Sequence, residues 1–156
     1  MMTHLSFDVL KALGGKTLVT AESCTGGGIG AALTAIPGSS GVYKGGIISY
    51  TNWVKENVLG VPGEMLDRYG AVSQQVAQAM AEGARERLKA DVAVSVTGLA
   101  GPDGDEYGNP VGTVFIGYAD AEKSYAKEFY FAGDREAVRS KAISAALELV
   151  LEENKG

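Results

Sequence analysis

Apolar positions follow a helical repeat in some stretches of the chain and a strand-like repeat in others, and the alternation of the two predicts a series of elements. Leu5, Val9 and Leu13 recur at helical spacing, and Gly14-Gly15 ends that helix. The β-branched run over 17–21 predicts a strand. A second helix is expected over 26–36, with Ile29, Ala32, Leu33 and Ile36 inward and Pro37-Gly38 as its stop. Residues 42–50 read as a strand interrupted by Gly45-Gly46, and short helices are expected over 51–58 and 62–69. Ser73 suits the N-cap of a long helix on which Val76, Met80 and Ala84 share one face, with Ala77, Ala81 and Leu88 beside it. The apolar run over 92–96 fits a central strand covered on both faces. Runs over 113–118 and 125–131, joined by a short polar link, predict an antiparallel hairpin. Asp134 then caps a last helix with Val138, Ala142, Ala145 and Leu149 as its buried stripe.

Helices alternating with strands imply an α/β fold, a three-layer α/β/α sandwich with a mixed, mainly parallel sheet whose antiparallel part is the late hairpin. No linker, repeat or low-complexity tract divides the 156 residues, so a single domain over 1–156 is expected. Ligands of such sheets gather at the carboxyl ends of the strands. Three segments should converge there: 23–28, 50–55 and 97–104.

Composition narrows the chemistry. With 46% hydrophobic and 21% charged residues the chain falls among soluble globular domains. No apolar run approaches membrane-spanning length, and Met1 to Asp8 lacks the regions of a secretory signal, so no membrane partner and a cytoplasmic address are expected. The single cysteine, Cys24, excludes an internal disulfide framework and a thiolate-rich zinc site. The single histidine, His4, lies at a terminus expected to fray, so a serine-histidine-acid triad cannot be assembled from one chain, and no metal or cofactor is expected. The formal net charge of −5 argues against unspecific nucleic-acid binding; Arg85, Arg87 and Lys89 could form a local basic patch, but on a helix they read more simply as a solvated face.

The strand over 17–21 feeds directly into Glu22-Ser23-Cys24-Thr25-Gly26-Gly27-Gly28. A side chain at such a junction sits beside helix N–H groups that lack intrahelical partners, and the glycines allow close approach of another molecule. Ser23 has a plain alternative as an N-cap, and Lys55 as a surface lysine. Taken together they suit a nucleophile and its base, since a desolvated lysine can replace the absent histidine. Tyr50 could relay a proton or hold the amine. Cys24 is a rival nucleophile, although a small buried thiol is its commoner role. The pattern Gly26-x-Gly28-x-x-Ala31 fits a dinucleotide fingerprint but lacks the acidic residue after the next strand, where Ser49 and Tyr50 stand. Asp103, Asp105 and Gly108 mimic a calcium loop, but Tyr107 and Val114 occupy ligand positions, so calcium is excluded. The glycine-dense run over 98–104 is either a tight turn or a ligand loop.

The ordered motifs Ala21-Glu22-Ser23-Cys24-Thr25-Gly26-Gly27, Gly45-Gly46 with Tyr50, Asn52 and Lys55, Leu59-Gly60-Val61, Gly70-Ala71-Val72-Ser73, Thr97-Gly98 with Ala100-Gly101-Pro102, Pro110-Val111-Gly112-Thr113 and Gly133-Asp134-Arg135 with Arg139 resemble the C-terminal domain family of competence/damage-inducible protein A. Members of this family also occur as stand-alone nicotinamide-nucleotide amidases. The resemblance implies a homo-oligomer, a dimer or larger, that hydrolyses the carboxamide of nicotinamide mononucleotide to nicotinate mononucleotide and ammonia without a metal. Carried over by position, it implies Ser23 as nucleophile, Lys55 as base and Tyr50 as supporting phenol. The N–H groups of Thr25, Gly26 and Gly27 would hold the oxyanion. Thr97, Gly98 and Gly101 would border the nicotinamide and ribose, and Arg135 or Arg139 would take the phosphate. The larger two-domain form of the family carries a preceding domain with no counterpart in these residues, and its activity is expected to be absent. Many relatives carry a lysine where this chain has Asn109, so a substrate or subunit contact there is expected to differ. A rival reading from another class is a nucleotide-binding or interaction module whose loops hold a ligand without turnover.

Overall fold

Period-two alternation along the strands sends side chains to opposite faces, and that sorting organises the molecule. The computed structural model describes residues 2–155. Its elements in chain order are α1 (Met2–Ala12), β1 (Leu18–Glu22), α2 (Gly28–Thr34), β2 (Tyr43–Ile48), α3 (Asn52–Asn57), α4 (Gly63–Tyr69), α5 (Gln74–Leu88), β3 (Val92–Gly98), β4 (Thr113–Ala119), β5 (Ser124–Tyr130) and α6 (Arg135–Asn154), with a single 3-10 turn at Ser39–Gly41. The sheet order is β2-β1-β3-β4-β5. β1 pairs in parallel with both β2 and β3, while β3–β4 and β4–β5 are antiparallel, so β4 alone runs against the other four. Val92, Val94 and Val96 of β3 pack with Val9 of α1, Ile29 and Leu33 of α2, and Val138 and Ala142 of α6. Ala93 of β3 and Val19 and Ala21 of β1 meet Val76, Met80 and Ala84 of α5 and Leu66 of α4 on the other side. The result is the three-layer α/β/α sandwich with a mixed sheet.

Local chemistry sets the element boundaries. Ser73 accepts the Val76 amide at 3.3 Å and Asp134 the Ala137 amide at 2.9 Å, so both caps hold α5 and α6 at their expected starts. α2 begins at Gly28 rather than at 26, because Gly26 (φ 58°) and Gly27 (φ 102°) lie in left-handed space that a right-handed helix does not contain. β2 runs on through Gly45-Gly46, although its pairing with β1 shifts register between Tyr43 and Gly45. A Cβ at Gly46 would fall 2.2 Å from Thr20 Oγ1, so the glycine there makes room for a side chain of β1. His4 lies exposed in the first turn of α1. On α6 Val138, Ala142 and Leu149 are buried as expected, joined by Ala146, Leu147 and Val150, while Ala145 is only half-buried. No helix among the described residues is long and apolar enough to cross a membrane.

Candidate active site

Parallel register brings the carboxyl ends of three strands level, with Glu22 opposite Ile48 on one side and Val96 on the other. From β1 the chain goes through α2 to β2 on one side, then through α3 to α5 to β3 on the other, so the connections part at the end of β1. A crevice is expected at such a point. Ser23 stands there, with its amide donating to the Val96 carbonyl at 2.9 Å. Next door, the Ser49 amide donates to the Glu22 carbonyl at 2.8 Å, and the chain then turns into α3 through its N-cap Thr51.

That cap places Lys55 one turn into α3 and points it inward. Lys55 is 1% exposed, and its Nζ donates to Ser49 O at 2.7 Å and to Ser23 Oγ at 3.0 Å. Burial pushes its ammonium down to about 8, against a smaller opposing pull from the Cys24 thiol. A proton can pass directly between the two side chains at this distance. Burial pushes the neighbouring Cys24 thiol up to about 11, which keeps it protonated.

A pocket of about 350 Å³ opens over this pair. The segments around Ser23, Tyr50 to Lys55 and Thr97 to Asp103 all line it, together with Arg135, so the three expected loops do converge. Thr97, Gly98 and Gly101 form one wall, with the Thr97 hydroxyl donating to Ala71 O at 2.8 Å. Tyr50 is 58% exposed, and its hydroxyl accepts from Arg135 at 3.1 Å rather than meeting Lys55 or Ser23. The same guanidinium donates to Gly101 O, so Arg135 bridges two walls of the pocket.

The turn after Ser23 is more fully engaged than sequence reasoning anticipates. Gly26 N–H donates to Ser23 O at 3.0 Å and is therefore not a free oxyanion donor. The amides of Thr25 and Gly27 donate to no acceptor among the described residues. Glu22, 2% exposed, accepts from the Thr25 hydroxyl at 2.7 Å and from the Ile29 and Gly30 amides at 2.9 and 3.0 Å, so it takes up donors at the start of α2. Arg139 does not line the pocket. Its guanidinium donates to Cys24 O and Thr25 O at 2.9 and 3.1 Å. Asn109 also faces elsewhere, donating to Val72 O and Asp105 at 3.1 and 2.8 Å. Glu22 and Ser49 O are the contributors that sequence reasoning missed. An acidic residue ending an otherwise apolar strand was the available signal for Glu22; nothing signalled a backbone carbonyl.

The CinA C-terminal domain family matches residues 3–154. The chain belongs to this family. A CinA-like protein of Parasynechococcus marenigrum (strain WH8102) is 50% identical over 136 residues, 86% of this chain and 32% of that protein. The nicotinamide-nucleotide amidohydrolase PncC of Pseudomonas putida is 46% identical over 135 residues, 86% of this chain and 84% of PncC. The chain therefore spans about a third of the length of the first of these CinA relatives and most of the length of PncC. Among solved CinA structures, the competence damage-inducible protein A (ComA) of Klebsiella pneumoniae is 39% identical with a TM-score of 0.95, covering 97% of this chain and 96% of its own. A CinA superfamily protein of Escherichia coli is 38% identical with a TM-score of 0.96, covering 98% of this chain and 90% of its own.

Proposed function

We propose that this chain is a nicotinamide-nucleotide amidase that hydrolyses the carboxamide of nicotinamide mononucleotide through a serine acyl-enzyme, without a metal. The observation that carries this reading is the 3.0 Å contact between Ser23 Oγ and a Lys55 whose ammonium burial pushes down to about 8. The Pseudomonas putida relative named nicotinamide-nucleotide amidohydrolase supports the substrate class.

With Lys55 neutral, the Ser23 hydroxyl donates to the amine lone pair, and its oxygen attacks the carboxamide carbon as the proton moves to Lys55. Unpaired amides of the turn, Thr25 and Gly27 foremost, meet the oxyanion. Collapse breaks the C–N bond, and Lys55 returns its proton to the departing nitrogen, which leaves as ammonia. Water then attacks the ester, again with Lys55 as base, releasing nicotinate mononucleotide and restoring Ser23. Thr97, Gly98 and Gly101 border the nicotinamide and ribose. Arg135, the arginine that lines the pocket, is the phosphate partner, and Tyr50 holds that guanidinium in place. The family resemblance adds a cytoplasmic homo-oligomer, whose size sedimentation of the purified chain would measure.

The decisive experiment incubates purified protein with nicotinamide mononucleotide and measures ammonia together with nicotinate mononucleotide. Equal amounts of both are expected. Stoichiometric binding without ammonia release would instead favour the nucleotide-binding module.

A further inference from the structure

Arg139 turns two of its five N–H donors onto the protein's own backbone. They hold the carbonyls of Cys24 and Thr25, the two residues that follow Ser23. Across a trans peptide the C=O and N–H of one plane point in opposite directions. Holding the Cys24 carbonyl therefore turns the Thr25 N–H away from Arg139, and holding the Thr25 carbonyl does the same for Gly26 N–H. The Gly26 amide is taken by Ser23 O, whereas the Thr25 amide has no acceptor among the described residues. The buried Glu22 carboxylate in turn holds the Thr25 hydroxyl and the Ile29 and Gly30 amides of α2. Gly26-Gly27-Gly28, which follows Thr25 in the chain, has no side chains to restrict its peptide planes.

We propose that Arg139 is a positioning residue for the transition state: by holding the Cys24 and Thr25 carbonyls it aims the Thr25 amide at the oxyanion, and it does not bind the substrate phosphate. The inference rests on the acyl-enzyme reading above. Preorganised donors act where charge develops, so losing their aim lowers kcat more than it weakens substrate binding.

The test replaces Arg139 by Met, which keeps the stem and removes every donor, and compares nicotinamide mononucleotide with the riboside that lacks the phosphate. Expected is a fall in kcat of about 10- to 100-fold on both substrates, with KM little changed and the preference for the nucleotide intact. A phosphate ligand would behave differently: KM for the nucleotide would rise and the preference would collapse, which overturns the proposal. Arg139→Lys, a milder change that can reach one of the two carbonyls, serves if the Met variant fails to fold; the same pattern with a smaller fall is expected.

A second measurement does not depend on the natural substrate. A fluorophosphonate would be attacked by the Ser23 oxygen, forming a P–O bond and expelling fluoride while the hydroxyl proton passes to Lys55, and its phosphoryl oxygen would need the same amides. Labelling should slow about tenfold or more in the Arg139 variants. An unchanged labelling rate overturns the proposal whatever the nucleotides do. If wild-type protein is labelled in an Arg139-dependent way yet releases no ammonia, the substrate assignment falls and the positioning role stands. If wild-type Ser23 is not labelled at all, both are overturned.

Discussion

Ser23 and Cys24 are neighbours with opposite prospects as nucleophiles. Ser23 Oγ has a base at 3.0 Å, whereas the Cys24 thiol is held protonated by its burial. Ser23→Ala should lower ammonia release by at least about 10³-fold while leaving nucleotide affinity near its original value, and Cys24→Ser should stay within about tenfold of wild type. A dead Cys24→Ser beside an active Ser23→Ala would transfer the mechanism to the thiol. Lys55 carries two pH dependences. Turnover should rise with pH through about 8, as the amine becomes able to accept a proton, and Lys55→Arg should be as inactive as Lys55→Ala because guanidinium does not release its proton. Stability should follow from the same shift. Between about 8 and the ordinary value of 10.5 the unfolded chain holds a proton that the folded chain has given up, so folding is favoured as pH rises through that window. Below it the buried charge costs about 3 kcal/mol, offset in part by its two hydrogen bonds. Lys55→Met should therefore stabilise the protein by about 1–2 kcal/mol at pH 7, and urea unfolding should find that gain shrinking above pH 8.

At the scale of elements, the packing of α5 decides whether Lys55 reaches its partner. The connection after α3 runs against this helix, where a Cβ on Gly83 would lie 2.0 Å from Leu59 O. The same connection returns to α3 through Val61 N–H, which donates to Lys55 O at 2.9 Å. Glycine to alanine inside a helix ordinarily stabilises by about 1 kcal/mol. Here a backbone carbonyl blocks the added carbon, so the sign reverses. Gly83→Ala should destabilise by about 2–3 kcal/mol in denaturant unfolding and should also lower turnover, because the displaced connection carries α3 with it. An increase in stability would mean that Leu59 moves aside without cost.

Over the whole molecule, soft metal ligands are scarce: the chain has a single cysteine and a single histidine, and His4 lies exposed on α1 while Cys24 borders the pocket. The proposed hydrolysis runs entirely through Ser23, Lys55 and backbone amides. Prolonged chelation followed by assay of ammonia release should leave the rate within about twofold of the untreated protein. Activity lost to the chelator and restored by zinc or magnesium would replace the lysine base with a metal-bound water.

Periodicity and caps belong to the chain itself, which is why the layers, the hairpin, the starts of α5 and α6, and the convergence of three loops were legible before any fold was known. Short-range sterics act within a few residues, and Val92 to Val96, Ser73 and Asp134 carry that information locally. The positive φ of Gly26 and Gly27, which delays α2, is a local property as well, but glycine permits it without requiring it. Direction and burial of long polar side chains were decided only by tertiary structure. Lys55 could have been a surface residue until β1 and β2 fixed Ser23 and Ser49 beside it. Arg135 and Arg139 lie one helical turn apart on α6, yet one bridges the pocket walls and the other grips the turn behind Ser23. Glu22 was in plain view within its motif, but its partners are backbone amides, and their directions exist only once α2 has packed against the sheet.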